Sequence, residues 1–151
     1  MNKVKMFKRA ALVAIGFFPL MLFGSYLHHL ILTVFYDRML PLFLIGVAVI
    51  AVWFVFGIIS MRLVGSRREA VLLLNAPAFF VLLLVLFQEW VISRFWLNTI
   101  GLATQMFYLP LVRLGMVITT PLPLVSFGIA STFAFAFMLG ASYLGSKILR
   151  V

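Results

Sequence analysis

The chain has 151 residues, of which 66% are hydrophobic and only 10% are charged. Lysine and arginine outnumber aspartate and glutamate by 12 to 3, which gives a formal net charge of +9. A water-soluble domain of this length cannot bury so much apolar surface, so the composition excludes soluble enzymes, nucleic-acid-binding domains and disordered tails. We therefore expect a single all-α integral membrane domain over residues 1–151.

Four apolar runs, at about 10–36, 40–64, 70–92 and 121–145, predict four transmembrane helices. Each run holds roughly 20 residues or more, which is enough to cross a hydrocarbon core of about 30 Å. The basic start before the first run also resembles a signal peptide. Because that run is too long for the apolar part of a signal peptide and no cleavage site follows it, we expect a first transmembrane helix that is retained.

The stretch over about 96–118 is apolar but interrupted by polar residues, an arginine and a proline. Asn98, Gly101, Gln105 and Tyr108 recur at helical spacing, so they share one face of a helix. This pattern predicts an extra interfacial or re-entrant amphipathic segment between the third and fourth transmembrane helices. The alternative is a fifth transmembrane helix through 102–118.

The basic residues indicate the orientation, because cytoplasmic loops of membrane proteins carry an excess of lysine and arginine. With four transmembrane helices and a cytoplasmic N-terminus, nine basic residues lie inside and three outside. A fifth transmembrane helix would lower this excess and bring Arg113 into or near the membrane. We therefore expect a four-helix protein of the cytoplasmic membrane with both termini in the cytoplasm. The residues expected to contact anionic lipid headgroups are Lys3, Lys5, Lys8, Arg9, Arg67 and Arg68.

The last helix carries two rows of small residues. Gly128, Thr132, Ala136 and Gly140 form one row at four-residue spacing, and a second row at 126, 130 and 134 lies beside it. Small residues let helix backbones approach closely in lipid. We take the first row as a helix-packing face, which contacts either the protein's own helices, a second copy of the chain or another membrane protein.

Polar residues at similar depths in the first and third helices suggest an intramembrane cluster of His28, His29, Gln88 and Glu89. Ionisable groups within a membrane-spanning helix are costly and commonly face the protein interior, where a His–Glu pair can relay protons or hold a cation. The alternative is that they lie at the membrane interface beside aromatic residues. Adjacent histidines on a helix do not form a metal pair, so we expect no metal.

Pro19, Asn75 and Pro77 mark possible kinks in the inner parts of the first and third helices. Two kinks at similar depth can frame a cavity, although prolines are also tolerated as packing features in transmembrane helices.

The chain has no cysteine, no nucleophile elbow, no phosphate loop and no His-Glu-x-x-His motif. We therefore expect no cofactor and a non-enzymatic accessory, regulatory or protective subunit that binds another membrane protein or itself. The alternative is a small homo-oligomeric channel or transporter for a proton, cation or small solute, using the His/Glu cluster. A membrane enzyme acting on lipids through Glu89 or a histidine is the third possibility.

Overall fold

A computed structural model describes residues 3–20, 25–34, 41–119 and 126–148, and these residues form helices and no strand. Four helical segments in this part of the chain are long and apolar enough to cross a membrane: Leu42–Val64, Arg67–Val91, Thr99–Val117 and Phe127–Ile148. The prediction of an all-helical protein with membrane-spanning helices is thus supported by length and composition. The helices are α1 (Lys3–Gly16), α2 (Ser25–Thr33), α3 (Leu42–Val64), α4 (Arg67–Leu86), α5 (Thr99–Thr119) and α6 (Phe127–Ile148).

A tight turn joins α3 to α4. Gly65 adopts a left-handed conformation with φ of 77°, and its N–H donates to the carbonyl of Met61 at 3.0 Å. Glycine allows this conformation without a steric cost, which is why it commonly ends helices. The chain therefore reverses direction, and α4 runs antiparallel to α3.

Two further contacts fix the direction of α6. The side chains of Asn75 and Ser142 are hydrogen-bonded, and the carboxylate of Glu89 accepts from the N–H of Gly128. Residue numbers thus rise along α4 as they fall along α6, so these helices are antiparallel. One end of the bundle holds the start of α1, the α3–α4 turn and the end of α6, and we call it the basic end. The opposite end, where α4 finishes and α6 begins, is the far end.

Helix α5 contacts its neighbours mainly near the far end, although its Tyr108 hydroxyl reaches the carbonyl of Ala78 in the middle of α4. Its early residue Thr104 bonds to Gln88 at the end of α4, and its late residue Gly115 packs directly on Ala130, in the first turn of α6. Between them, α5 passes close to Gly46 near the start of α3. Both halves of this helix therefore lie at one end of the bundle, so α5 crosses the other helices rather than running beside them.

In the region of the first predicted transmembrane helix, the structure describes two helices, α1 and α2. The regular α-helix ends at Gly16, and the N–H groups of Phe17 and Leu20 bond three residues back, to Ala14 and Phe17. Pro19 lacks a backbone N–H, so it cannot continue the α-helical pattern. Helix α1 starts at the basic end beside α4, and α2 packs on α5 at the far end; residues 21–24 between them lie outside the described part.

The other predicted helices match α3, α4 and α6 with shifted ends. Helix α4 begins at Arg67, three residues before the predicted start at position 70. Helix α6 continues to Ile148, beyond the predicted end at position 145. Positions 121–125 lie outside the described residues.

One apolar core joins five of the six helices, and its fully buried members include Leu12, Val49, Trp53, Leu74, Tyr108 and Met138.

Candidate functional site

Three polar side chains form a hydrogen-bonded network in the apolar core. The side-chain oxygen of Asn75 accepts from the indole N–H of Trp53 at 3.0 Å, and its amide nitrogen donates to the hydroxyl of Ser142 at 2.8 Å. The same amide donates to the carbonyl of Val71, and Ser142 donates to the carbonyl of Leu139. Buried polar groups are costly unless they are paired. This network therefore ties α3, α4 and α6 together at one defined register.

Of the predicted kink residues, Pro19 and Pro77 are packed in the interior, and Asn75 is among the residues that line the larger hollow between α4 and α6. Pro77 lies inside α4, which continues through it, and a Cβ added to Gly16 would lie 2.7 Å from the Pro77 ring. Pro19 is fully buried just beyond the end of α1. The glycine of α1 and the proline ring of α4 thus let the two helices approach closely.

Gln88 is fully buried and anchors the connection that follows α4. Its side-chain oxygen accepts from the backbone N–H of Trp96 at 2.9 Å. Its amide nitrogen donates to the hydroxyl of Thr104 at 3.1 Å and to the carbonyl of Leu84 at 3.2 Å. Three bonds to fixed partners leave this side chain little freedom to bind a passing solute, so Gln88 holds α5 at the far end.

Glu89 caps the start of α6. One of its carboxylate oxygens accepts from the N–H of Gly128 at 2.6 Å, while the hydroxyl of Ser126 accepts from the N–H of Ile129 at 3.2 Å. The first N–H groups of a helix have no partner within the helix, and its N-terminus carries a partial positive charge. A carboxylate is therefore stabilised at this position, and Glu89 has a structural partner.

The predicted cluster of two histidines with Gln88 and Glu89 does not share hydrogen bonds or ion pairs in the described part of the chain. His28 is half-buried and His29 is exposed on α2, and the hydroxyl of Thr33 donates to the carbonyl of His29. Glu89 and Gln88 are adjacent in the chain but bond to different helices. Gln88 and Glu89 therefore have separate partners at the far end.

The two rows of small residues on α6 have different surroundings. Gly128 is buried against Glu89, but Thr132 and Ala136 are exposed, and an added Cβ at Gly140 would meet no atom within 4 Å. The residues that pack inward are Ala130, Ser131, Ala134, Met138, Ala141, Ser142 and Gly145. The predicted packing face is thus directed outward over most of its length.

Two apolar grooves flank this outward face of α6. The α3–α6 groove has a volume of about 680 Å³ and includes Ala51, Val55, Ala136 and Gly140 in its walls. On the opposite side, the α4–α6 groove consists of two adjoining hollows of about 480 and 390 Å³. Ala76, Phe79, Phe135 and Leu139 are among the residues that line the larger of these hollows. Gly140 has no side chain to separate the two grooves.

Most charged side chains of the described residues lie at the basic end. Arg9 of α1 forms an ion pair with Glu69 in the first turn of α4. The Nε atom of Arg67 is enclosed and has no hydrogen-bond partner. The residues that the sequence assigns to lipid headgroups all lie at this end: Lys3, Lys5, Lys8, Arg9, Arg67 and Arg68.

Within residues 3–20, 25–34, 41–119 and 126–148, no three His, Cys, Asp or Glu side chains come together in a group able to hold a metal ion. No family model, no curated protein and no solved structure matches this chain. Function must therefore be argued from the surfaces and the side chains described above.

The sequence interpretation missed the partners of Asn75. Trp53 belongs to a row on α3 whose members recur every three or four residues and are all buried: Gly46, Val49, Trp53, Gly57 and Ser60. This spacing indicates an inward face and could have been found in the sequence. The sequence pattern places Tyr108 on the polar face of the amphipathic segment over about 96–118. In the structure Tyr108 is fully buried, and its hydroxyl donates to the carbonyl of Ala78 at 2.7 Å.

Proposed function

We propose that this protein is a non-enzymatic accessory subunit of the cytoplasmic membrane, which binds a transmembrane helix of a larger membrane protein along the outward face of α6. The observation that carries the proposal is a row of small residues with apolar grooves on both sides: Thr132 and Ala136 are exposed, and a Cβ at Gly140 would meet open space. In lipid, where the hydrophobic effect gives no drive between helices, close backbone approach over small residues is what stabilises helix pairs.

The proposed membrane placement follows from charge and from the position of α5. In the described part, eight basic residues lie at the basic end and two, Arg94 and Arg113, at the far end. The excess of cations favours a cytoplasmic basic end with both termini inside. We propose that α1 with α2, α3, α4 and α6 cross the bilayer, while α5 lies at the outer interface. Exposed Arg113 then remains near water.

The α4–α6 groove is the proposed site for the partner helix. Leu72 and Phe79 beside it are 69% and 50% exposed, so large apolar side chains project at its edge. These side chains and the hollows between them are suited to interdigitate with a second helix, as ridges pack into grooves. A transmembrane helix supplies apolar side chains along this whole length, whereas a soluble partner does not reach it.

The contacts of the polar residues support this function over a channel. A proton or cation path would use the histidines, Gln88 and Glu89, but Gln88 is engaged in three hydrogen bonds and Glu89 caps α6. The core between the helices is filled by large apolar side chains such as Leu74, Met138 and Phe107.

Site-directed photocrosslinking at native expression tests the proposal. A photoreactive residue at exposed Ala136 is expected to crosslink to one membrane protein, and Ala76→Phe, which fills the α4–α6 groove, is expected to abolish that crosslink. Ala51→Phe is the matched control, because it places the same side chain in the other groove. A crosslink that persists in Ala76→Phe, or one that forms only between copies of this chain, would contradict the proposal.

A further inference from the structure

The α3–α6 groove differs from the α4–α6 groove in its volume and in the two basic residues that lie beyond one of its ends. Its volume of about 680 Å³ falls within the roughly 300–1,000 Å³ of typical ligand pockets. Its walls are wholly apolar and include Ala51, Val55, Ala136 and Gly140. Ala51 and Ala136 are exposed, so the groove opens to the side of the bundle, toward the lipid in the proposed placement.

Two cations lie beyond the groove toward the basic end. Arg62 follows Val55 by seven residues on α3, and Lys147 follows Gly140 by seven residues on α6. Seven residues are close to two helical turns, so Arg62 lies on the groove side of α3, about 10 Å farther along. Lys147 lies equally far along α6 on its outward face, beside Tyr143, which lines the neighbouring α4–α6 hollow. Both side chains are exposed. In the part of the chain that the structure describes, neither pairs with a carboxylate.

An aromatic side chain marks the level of these cations. The Lys147 ammonium lies 4.7 Å from the centroid of the Tyr143 ring, and Tyr143 is 44% exposed. Tyrosine is enriched where hydrocarbon meets headgroups, and lysine side chains extend toward the same level. The groove therefore lies at the depth of acyl chains, and its basic mouth lies at the depth of phosphates.

We propose that the α3–α6 groove binds an anionic phospholipid, with an acyl chain along Ala51 and Gly140 and the phosphate between Arg62 and Lys147. A ligand that fits this surface must be apolar over the groove and negatively charged at its mouth. Basic pockets between transmembrane helices on the cytoplasmic side bind lipid headgroups in this way. The site rests on the proposed membrane placement; it shares Ala136 and Gly140 with the face proposed for the partner helix but takes its other wall from α3 instead of α4.

Native mass spectrometry tests the site. The protein is reconstituted in vesicles of phosphatidylglycerol and phosphatidylcholine in equal amounts, extracted in mild detergent and analysed for retained lipid. We expect phosphatidylglycerol to be retained preferentially. The double variant Arg62→Gln/Lys147→Gln is expected to reduce that retention roughly tenfold or more, since each cation near the surface contributes to headgroup attraction.

The matched control is Arg94→Gln/Arg113→Gln, which removes the same charge from two exposed residues at the far end, away from the mouth of the groove. It is expected to change retention by less than about twofold. An equal loss in both double variants would reveal only diffuse attraction and overturn the proposal, as would equal retention of phosphatidylcholine.

Filling the groove gives a second, charge-independent readout. Ala51→Phe is expected to lower retention as much as the charge variant, whereas Ala76→Phe in the other groove is expected to leave it unchanged. If Ala51→Phe retains the lipid fully, no acyl chain occupies the groove and the proposal fails. Because Ala76→Phe tests the partner helix and Ala51→Phe tests the lipid, the two proposals can fail separately.

Discussion

The two faces of α6 carry similar residues in opposite surroundings. On the inward face, Gly145 lies directly against the backbone of α3, and an added Cβ would overlap the carbonyl oxygen of Phe54. On the outward face, an added Cβ at Gly140 would meet nothing within 4 Å. A small residue therefore has two uses in this helix. Inside it permits a contact that already exists, and outside it leaves room for one that a partner completes.

Enlarging a glycine on the inward face of α6 should lower the stability of the protein more than loss of the core network or of the α6 cap. Gly145→Val forces α3 and α6 apart, and overpacking of this kind costs about 3 kcal/mol of unfolding free energy. We expect a large fall in thermal stability in detergent. Gly140→Val is the control and should unfold within about 1 °C of the wild type, because it faces open space. Equal destabilisation by both variants would show that the two faces do not differ as described.

Removing the core network should have an intermediate effect. Asn75→Leu leaves the Trp53 indole N–H and the Ser142 hydroxyl without their shared partner, which costs about 1–2 kcal/mol. Thr132→Val provides the outward comparison, since the Thr132 hydroxyl donates only to the carbonyl of Gly128 in its own helix. Thermal unfolding of both variants checks the difference. A smaller loss for Asn75→Leu than for Thr132→Val would contradict the structural role of the network.

Loss of the α6 cap should have the smallest effect of the three. Glu89→Ala leaves the N–H of Gly128 without its acceptor, and the loss of a cap costs about 1 kcal/mol. Hydrogen exchange at residues 127–130 should speed up, with little change near residue 142. Glu89→Gln keeps an acceptor oxygen without the charge, so its exchange rate should lie between those of the wild type and Glu89→Ala. Unchanged exchange in Glu89→Ala would exclude the cap.

The sequence predicts where the helices lie in the chain better than it predicts which sides of them contact one another. Long apolar runs locate α3, α4 and α6, because a backbone in lipid must satisfy its own hydrogen bonds. The side of α6 that faces inward could not be predicted, because Ala130 and Ala136 are of the same residue type although Ala130 is buried and Ala136 is exposed. The surroundings decide the difference, and those come from α3 and α4.

The polar residues show the same limit. A buried Gln88 and a membrane-depth Glu89 suggest a shared site when only depth is known. Their partners include the backbone N–H groups of Trp96 and Gly128, and the sequence does not indicate which backbone donors a side chain will reach.

The position of α5 sets an order of events during synthesis. This helix packs on Gly46, which emerges earlier, and on Ala130, which emerges later. It cannot reach its final contacts until the start of α6 has left the ribosome. For that interval α5 is an apolar segment that lacks one of its neighbouring helices, α6. The chain therefore presents α5 to the membrane in this incomplete state, and α6 completes the contacts of the helix made before it.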